Sequence, residues 1–179
     1  MTVPPSFSRR IRADDVAAGG LDMTIVADAS ERDALTRANN LVAIGRLEAT
    51  FHLTRISRGV VRAQGDLVAD ITQTCVVSLE TFDSSVHEDI DVKFAALAED
   101  RPKPRGAPPP PVIDLTETDE PPDPIVDGRI DLGALAAEFF ALGLDPYPRK
   151  PGVEFAAPET DDGADSPFAV FKPPDPKDR

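Results

Sequence analysis

The chain has 179 residues, 41% of them hydrophobic, and a net charge of −13. This length can bury one core, but 19 prolines are too many for a chain that is folded throughout. We find no apolar run of the ~20 residues that cross a bilayer, no signal-peptide core, and one cysteine, too few for an internal disulfide. We therefore expect a cytoplasmic protein that makes no membrane contact.

The charge is unevenly distributed along the chain. Residues 1–62 hold nine Arg and no Lys against seven Asp plus Glu, a net charge of +2, which leaves −15 for residues 63–179. The acidic second half repels phosphate, so it disfavours naked nucleic acid as a partner of the whole surface. A basic protein, or RNA at an Arg-rich patch of the first half, is compatible with this distribution.

The residue pattern in the first half of the chain predicts three strands. Phe7 to Arg12 alternates as an edge strand does, and its arginines could contact phosphate or protect an exposed edge against aggregation. Met23 to Ala27 predicts a short strand. Leu41 to Ile56 predicts a long one, whose apolar phase switches at Gly45-Arg46 and indicates a bulge in a sheet that curls towards a barrel.

A helix is expected between the second and third of these strands. It begins at Ser30, with Asp33 as its partner in a variant of the capping box, and Leu35 lies in its modest apolar stripe. Asn39-Asn40 is expected to end it.

The longest pattern in the chain runs from Val61 to Phe94. Apolar residues occupy odd positions as far as Leu79 and even positions from Phe82. This period of two predicts strands that have one buried and one solvent-exposed face. The change of phase predicts a turn or bulge near Glu80 to Ser85. An earlier turn is predicted at Gly65-Asp66, so that two or three antiparallel strands result.

Proline interrupts this pattern from Glu99 to Pro124, where nine of the 26 residues are proline. Such a segment cannot hold a strand ladder or bury much apolar surface, which predicts an extended, disordered insertion. A docking site for a proline-binding partner is the alternative.

Regular structure is expected again from Ile125 onwards. Asp127-Gly128 predicts a tight hairpin turn, and Asp131 can cap the helix that follows. This helix ends at Gly143 and has Glu138 on its wet side. The residues expected to face the core, which share one side at helical spacing, are Leu132, Leu135, Ala136, Phe139 and Leu142.

Residues that carry chemistry are sparse. His52 and His87 lie 35 residues apart, without the cluster of cysteine, histidine or carboxylate that a metal site needs. Cys75 falls on the apolar phase, which favours a small buried side chain over a nucleophile. Neither a glycine-rich phosphate loop nor a Gly-x-Ser-x-Gly elbow occurs. We expect no enzymatic activity, no metal, no cofactor and no small-molecule substrate.

Several segments follow one another in a specific order. They are Cys75-Val-Val-Ser78-Leu-Glu80 with Phe82, the proline-rich gap, Ile125 to Leu132, Glu138 with Leu142 to Pro148, and Ser166-Pro-Phe-Ala-Val-Phe-Lys172. This ordered set, in a region from about Phe7 to Lys172, resembles the YceD-like large ribosomal RNA subunit accumulation proteins. Where many members have Cys-x-x-Cys this chain has Cys75 and Ser78, which removes the case for a metal knuckle.

The resemblance implies a non-enzymatic factor for large ribosomal subunit biogenesis and accumulation of large-subunit rRNA. Its partner would be a basic large-subunit ribosomal protein or pre-rRNA. The alternative is an acidic adaptor or chaperone-like module unrelated to the ribosome. A hydrolase that uses carboxylate chemistry is a third, less favoured interpretation, because no pair of facing carboxylates can be located.

Two sets of candidate residues follow. The family motifs assign a structural or interaction role to Cys75, Leu79, Glu80, Phe82, Asp127, Gly128, Leu132, Glu138, Pro146, Pro148, Pro167 and Phe168. An RNA-facing patch is predicted, on condition that its members gather on one surface, from Arg9, Arg10, Arg12, Arg55, Arg58 and Arg62.

The predicted fold is α+β. It consists of a curved antiparallel sheet, with barrel-like closure as one possibility, two short helices and the disordered proline-rich insertion. One domain is expected at residues 7–172, interrupted by the insertion at residues 99–124, with flexible tails at residues 1–6 and 173–179.

Overall fold

The structure is a computed structural model that describes residues 7–57, 59–96 and 121–155. Within these ranges the chain forms a five-stranded sheet, a two-stranded ribbon and two α-helices. In chain order, the elements are β1 (Arg10–Arg12), β2 (Leu21–Val26), α1 (Ala29–Ala38), β3 (Ala43–Ser57), β4 (Val60–Thr74), β5 (Thr81–Ala96), β6 (Asp123–Ile125), β7 (Arg129–Asp131) and α2 (Leu132–Leu142). Neither helix of this described part is long and apolar enough to cross a membrane.

The large sheet is mixed and open. Its strand order is β2-β3-β4-β5-β6, with antiparallel neighbours from β2 to β5 and a parallel pair between β5 and β6. The α+β class and the two helices are confirmed, whereas the purely antiparallel sheet and the barrel-like closure are wrong. A parallel pair requires a long connection, and residues 97–122 separate β5 from β6.

The alternation of apolar and polar residues decides which face of this sheet is buried. Val61 and Leu67 in β4 point to the same inner face as Phe51 in β3 and Ile90 in β5, and all four are buried. Both helices contribute to the core on this face. The opposite face, called the outer face below, carries polar residues that are largely exposed. The change of phase does mark a turn between two strands, but this turn lies at residues 75–80 and not at the predicted Glu80 to Ser85, because β4 ends at Thr74 and β5 begins at Thr81.

The turn predicted at Gly65-Asp66 is wrong, because β4 runs straight through both residues. Gly65 pairs with Phe51 on one side and with Ile90 on the other. A Cβ atom at this position would collide with the carbonyl oxygen of Thr50. Glycine is therefore needed at this position because the β3 backbone approaches β4 too closely for a side chain. Close approach of a neighbouring backbone is, besides a turn, a known reason for glycine within a strand. The bulge predicted at Gly45-Arg46 is confirmed by a register shift between Ile44 and Arg46.

The first helix begins earlier than predicted. Asp28, not Ser30, is its N-cap: the Asp28 carboxylate accepts a hydrogen bond from the Glu31 N–H at 2.9 Å. The Glu31 carboxylate accepts one from the Asp28 N–H at 2.9 Å, which completes a capping box. Asn39 ends the helix as predicted.

The second helix has the predicted ends, and most of its predicted buried face is confirmed, since Leu132, Leu135 and Ala136 are buried. The Asp131 carboxylate accepts a hydrogen bond from the Ala134 N–H, and Gly143 is the C-cap. Phe140 is fully buried, whereas Leu142, which was predicted to face the core, is 73% exposed. The buried face also includes Gly133, which lies directly against the backbone of Ser8 and Arg9, where a Cβ atom would not fit.

The predicted hairpin turn at Asp127-Gly128 exists, and both residues have positive φ. Its two strands nevertheless diverge, because β6 pairs with β5 whereas β7 pairs with β1. The predicted edge strand at the N-terminus is β1, which belongs to this ribbon and not to the large sheet. Asp123 and Pro124 belong to β6, so the predicted insertion ends too late. Its residues 99–120 lie outside the described residues.

We predict that Gly65→Ala destabilises the protein by about 1–3 kcal/mol, because the methyl group must displace the β3 backbone. Gly19→Ala is the matched control, since a Cβ atom at Gly19 meets nothing within 4 Å. It should change stability by less than about 1 kcal/mol. Urea unfolding of the two variants measures the difference, and equal midpoints would contradict this account of Gly65.

Candidate functional site

Five of the six candidate arginines lie in the described part of the chain, and each contacts a group of the chain itself. Arg9 donates two hydrogen bonds to the Glu31 carboxylate, at 2.6 and 2.9 Å, and lies 5.0 Å from the centre of the Phe7 ring. Arg62 donates to Asp91 at 2.7 Å. The other pairs are Arg10 with Asp131 at 3.3 Å, Arg12 with Asp14 at 4.0 Å, and Arg55 with the carbonyl oxygens of Ala13 and Val16 at 2.9 and 3.3 Å.

The structure does not bring these arginines onto one surface. Arg62 lies on the outer face, between the buried Val61 and Ala63. Arg55 follows Leu53 at the spacing of the inner face and holds the backbone before β2. Arg58 lies outside the described residues. A role in RNA contact stays a prediction for individual arginines, but the condition of a common patch is not met by the five that are described.

The described motif residues lie mainly in two places, a turn at residues 75–80 and the surroundings of α2. In the turn, the Cys75 N–H donates to the Glu80 oxygen at 2.9 Å. This turn is joined to the segment after α2, since the Val76 N–H donates to the Pro148 oxygen at 2.9 Å. Lys150 also forms an ion pair with Glu80 at 2.8 Å. Phe82 lies in β5 and is half-buried.

Cys75 is buried in this turn, as predicted, but its thiol is polarised. The Ser78 N–H lies 3.4 Å from the sulfur. Hydrogen bonds from the Ser78 side chain and from the backbone of Ser78, Lys150 and Val77 lower the pKa of Cys75 to about 6, although burial opposes the shift. Leu79, in the same turn, has a φ of 61° and is 77% exposed.

Two further motif residues, Asp127 and Glu138, line a cleft of about 740 Å³ at the N-terminal end of α2. We call it the acidic cleft. It lies between the ribbon, α2 and the ends of β5 and β6, and its apolar floor includes the buried Phe94, Ile130 and Leu135. The charged residues that line it are Arg10, Asp123, Asp127, Arg129, Asp131 and Glu138.

Only part of this charge is neutralised. Asp131 is paired with Arg10, and burial would raise its pKa, but hydrogen bonds from the Ser8 hydroxyl and the Arg9 N–H contribute to lowering it. The structure shows no hydrogen bond or ion pair between the side chains of Asp123, Asp127 or Glu138 and any other described residue. Arg129 is the remaining charged side chain of the lining, so the acidic cleft carries an excess of negative charge.

A second polar constellation lies on the outer face. Donor atoms of Asp66, His87 and Asp89 all lie within 4.8 Å of one another, and the three residues are exposed. The sequence reasoning missed this group because the turn wrongly predicted at Gly65-Asp66 would have separated Asp66 from the strand that carries His87 and Asp89.

A comparison with protein families gives one match that includes these features. The model of the family described as large ribosomal RNA subunit accumulation protein YceD matches residues 63–176, more than half of the chain. The chain belongs to the YceD family. The match confirms the resemblance carried by the motifs, and the YceD region includes most of β4, the strands β5 to β7, the Cys75 turn and the whole of α2. No curated protein and no solved structure matches the chain.

Parts of the YceD predictions remain untested. Pro167 and Phe168 lie outside the described residues, as do both predicted tails, and the bounds of one domain at residues 7–172 stay a prediction. The family's name connects the YceD chain with accumulation of large-subunit rRNA. It does not say which molecule the chain contacts.

We predict that Glu31→Gln lowers the free energy of unfolding by about 1–2 kcal/mol at neutral pH, because a charge-assisted pair with Arg9 is lost. The hydrogen bond from Arg9 lowers the pKa of Glu31, so folding favours the ionised carboxylate. Its contribution is complete above the ordinary pKa of a glutamate and is lost as the pH falls through the lowered pKa.

Urea unfolding of the wild type and the variant at several pH values tests this prediction. Asp33→Asn in the same helix is the control, since Asp33 is exposed. A stability difference between wild type and Glu31→Gln that persists unchanged into strong acid would contradict the role given to this pair.

We predict that Ser78→Ala raises the pKa of the Cys75 thiol from about 6 towards the ordinary value of about 8.5. The reason is that the side-chain hydrogen bond of Ser78 is the largest cause of the lowered pKa. The ultraviolet absorbance of the thiolate, followed against pH, reports on Cys75 alone because the chain has one cysteine. Ser85→Ala is the control, and an unchanged titration midpoint in Ser78→Ala would refute the assignment.

Proposed function

We propose that this YceD-family chain is a non-enzymatic factor that supports accumulation of large-subunit rRNA by binding a basic protein of the large ribosomal subunit. The acidic cleft is the proposed binding site. The observation that carries the proposal is the combination of three carboxylates without partners among the described residues, Asp123, Asp127 and Glu138, with an apolar floor. Family membership supplies the link to the large subunit.

A basic polypeptide fits this cleft better than RNA does. Lys or Arg side chains of a partner could pair with the three carboxylates while its apolar side chains contact Phe94 and Leu135 on the floor. Phosphate would be repelled by the same carboxylates. The described candidate arginines do not offset this repulsion, because they are paired within the chain on separate surfaces.

Electrostatics alone would make such a complex weak. An exposed ion pair contributes about 0.2–1 kcal/mol, so three pairs amount to roughly tenfold in affinity. The apolar floor supplies burial that is insensitive to salt, whereas the carboxylates favour a basic partner and speed its association.

The absence of catalysis is part of this proposal. It is supported by the separation of the reactive groups that are described: Cys75 is buried in its turn, whereas His52 and His87 are exposed on the outer face. A nucleophilic mechanism needs a base within hydrogen-bond reach of the nucleophile. Among the described residues, no hydrogen bond joins a histidine to Cys75; the sulfur accepts one from the Ser78 N–H at 3.4 Å.

The test compares two variants of the full chain that lose the same charge. The cleft variant carries Asp123→Asn, Asp127→Asn and Glu138→Gln, and asparagine tolerates the positive φ of residue 127. The control variant carries Asp15→Asn, Asp33→Asn and Glu154→Gln, three exposed acids outside the cleft. Tagged wild type and control should recover basic large-subunit proteins from cell extracts, with recovery about tenfold lower for the cleft variant.

Nuclease treatment of the extract separates protein from RNA contact. Recovery that survives nuclease supports a protein partner, whereas recovery that requires intact RNA and is equal for both variants would overturn the proposal in favour of RNA. In a deletion strain, wild type and control should restore large-subunit rRNA and the cleft variant should not. Recovery of no ribosomal protein, together with unchanged rRNA, would favour the adaptor interpretation.

A further inference from the structure

We propose that the outer face holds a binding site for one divalent transition-metal ion, formed by Asp66 of β4 with His87 and Asp89 of β5. The site is independent of the acidic cleft and of the partner proposed for it. Its ligands are one imidazole nitrogen and two carboxylate oxygens that lie within 4.8 Å of one another.

Strand register brings the three side chains together. Asp66 pairs directly with Asp89, and His87 pairs with Val68, two residues further along β4. Residues two apart in a strand point to the same face, so all three side chains point outwards. β4 has a neighbouring strand on each side, and β4 and β5 are paired over their whole lengths. The Cα positions of the ligands are therefore held by the sheet before any ion binds, as a metal site requires.

The charge arrangement at this point is unfavourable without a cation. Two like charges directly opposite each other on adjacent strands destabilise a sheet, and Asp66 and Asp89 are such a pair. Three other acids of the outer face have ionic partners: Glu48 with Arg46, Asp91 with Arg62, and Asp22 with His52. Asp66, His87 and Asp89 form no such pair with any described residue.

The ligand types indicate which ions fit. Imidazole suits Zn²⁺, Co²⁺, Ni²⁺ and Cu²⁺, whereas Mg²⁺ and Ca²⁺ prefer oxygen ligands alone. Zinc binds histidine nitrogen and carboxylate oxygen at about 2.0–2.2 Å, so two of its ligand atoms lie no more than about 4.4 Å apart. Donor atoms within 4.8 Å reach this range by small rotations of exposed side chains. Three protein ligands leave the remaining positions of the ion to water.

Binding would have a structural consequence. The ion would neutralise the Asp66–Asp89 pair and cross-link β4 to β5 at mid-strand. Since an ion that binds only the folded chain stabilises it by mass action, the thermal midpoint should rise with metal concentration.

His52 provides the matched control for His87. Both are exposed histidines of the outer face, and His52 has one carboxylate near it, Asp22, with Nδ1 and Oδ1 2.6 Å apart. An imidazole with one carboxylate is a poorer ligand set than an imidazole with two. If the acidic outer face merely attracts cations, substitutions at the two histidines should have equal effects.

The experiment uses the full chain after treatment with EDTA and removal of the chelator. Calorimetric titration with Co²⁺ and with Zn²⁺ should show one ion per chain. His87→Ala and Asp89→Asn should each weaken binding at least tenfold, whereas His52→Ala should change it less than twofold. The metal should raise the thermal midpoint of the wild type and of His52→Ala, but not that of His87→Ala.

A second measurement uses the wild-type protein alone, so its result does not depend on whether a variant folds. Because the chain has two histidines, their imidazole resonances in the wild-type protein can be followed separately during the titration with Zn²⁺. A saturable shift of the His87 resonance alone supports the site. Lack of saturable binding, equal losses in His87→Ala and His52→Ala, or a shift of His52 instead of His87 would each overturn the proposal.

Discussion

The carboxylate of Asp131 joins three parts of the molecule that are distant in the sequence. It accepts hydrogen bonds from the Ser8 hydroxyl at 2.5 Å, the Arg9 N–H at 2.8 Å and the Ala134 N–H at 3.2 Å. The N-terminal segment, the end of β7 and the start of α2 therefore meet at one partly buried charge. Since a buried charge that loses its donors is costly, this junction admits few alternative arrangements. The acidic cleft has its shape because these three parts are held here.

The same junction explains two neighbouring features. Phe7 is fully buried although it stands near the start of the described chain, because the segment that carries it is held against α2. The same junction explains why residue 133 is a glycine, since the backbone of Ser8 and Arg9 occupies the space that a side chain would need. A capping residue thus decides both the position of a helix and the closure of the core around it.

Charges in the described part of the chain divide into those that organise the fold and those that remain available. Arg9 and Arg55 hold backbone and carboxylate groups of their own chain, so a sequence rich in arginine does not produce a basic surface there. Carboxylates outnumber such partners, and those that remain include groups at the acidic cleft and on the outer face. At the cleft they adjoin an apolar floor, which suits a polypeptide. On the outer face they adjoin His87, which suits an ion.

The sequence by itself determined the elements whose signals are local. The alternation of apolar residues located β3, β4 and β5 and their buried faces, and Asp131 and Gly143 marked the ends of α2, because periodicity and capping depend on residues a few positions apart. Of the family-motif residues, Asp127 and Glu138 line the cleft.

Tertiary structure decided what depends on pairing between distant segments. Gly65 reads as a turn in the sequence, and only the closeness of Thr50 in β3 shows why a strand needs a glycine there. The pairing of β6 with β5 and of β7 with β1 separates two strands that a local turn signal would join. Strand register likewise placed Asp66 beside Asp89 and set Arg55 and Arg62 apart. Such arrangements depend on how whole strands and helices pack around one core. A short window of the sequence does not contain this information.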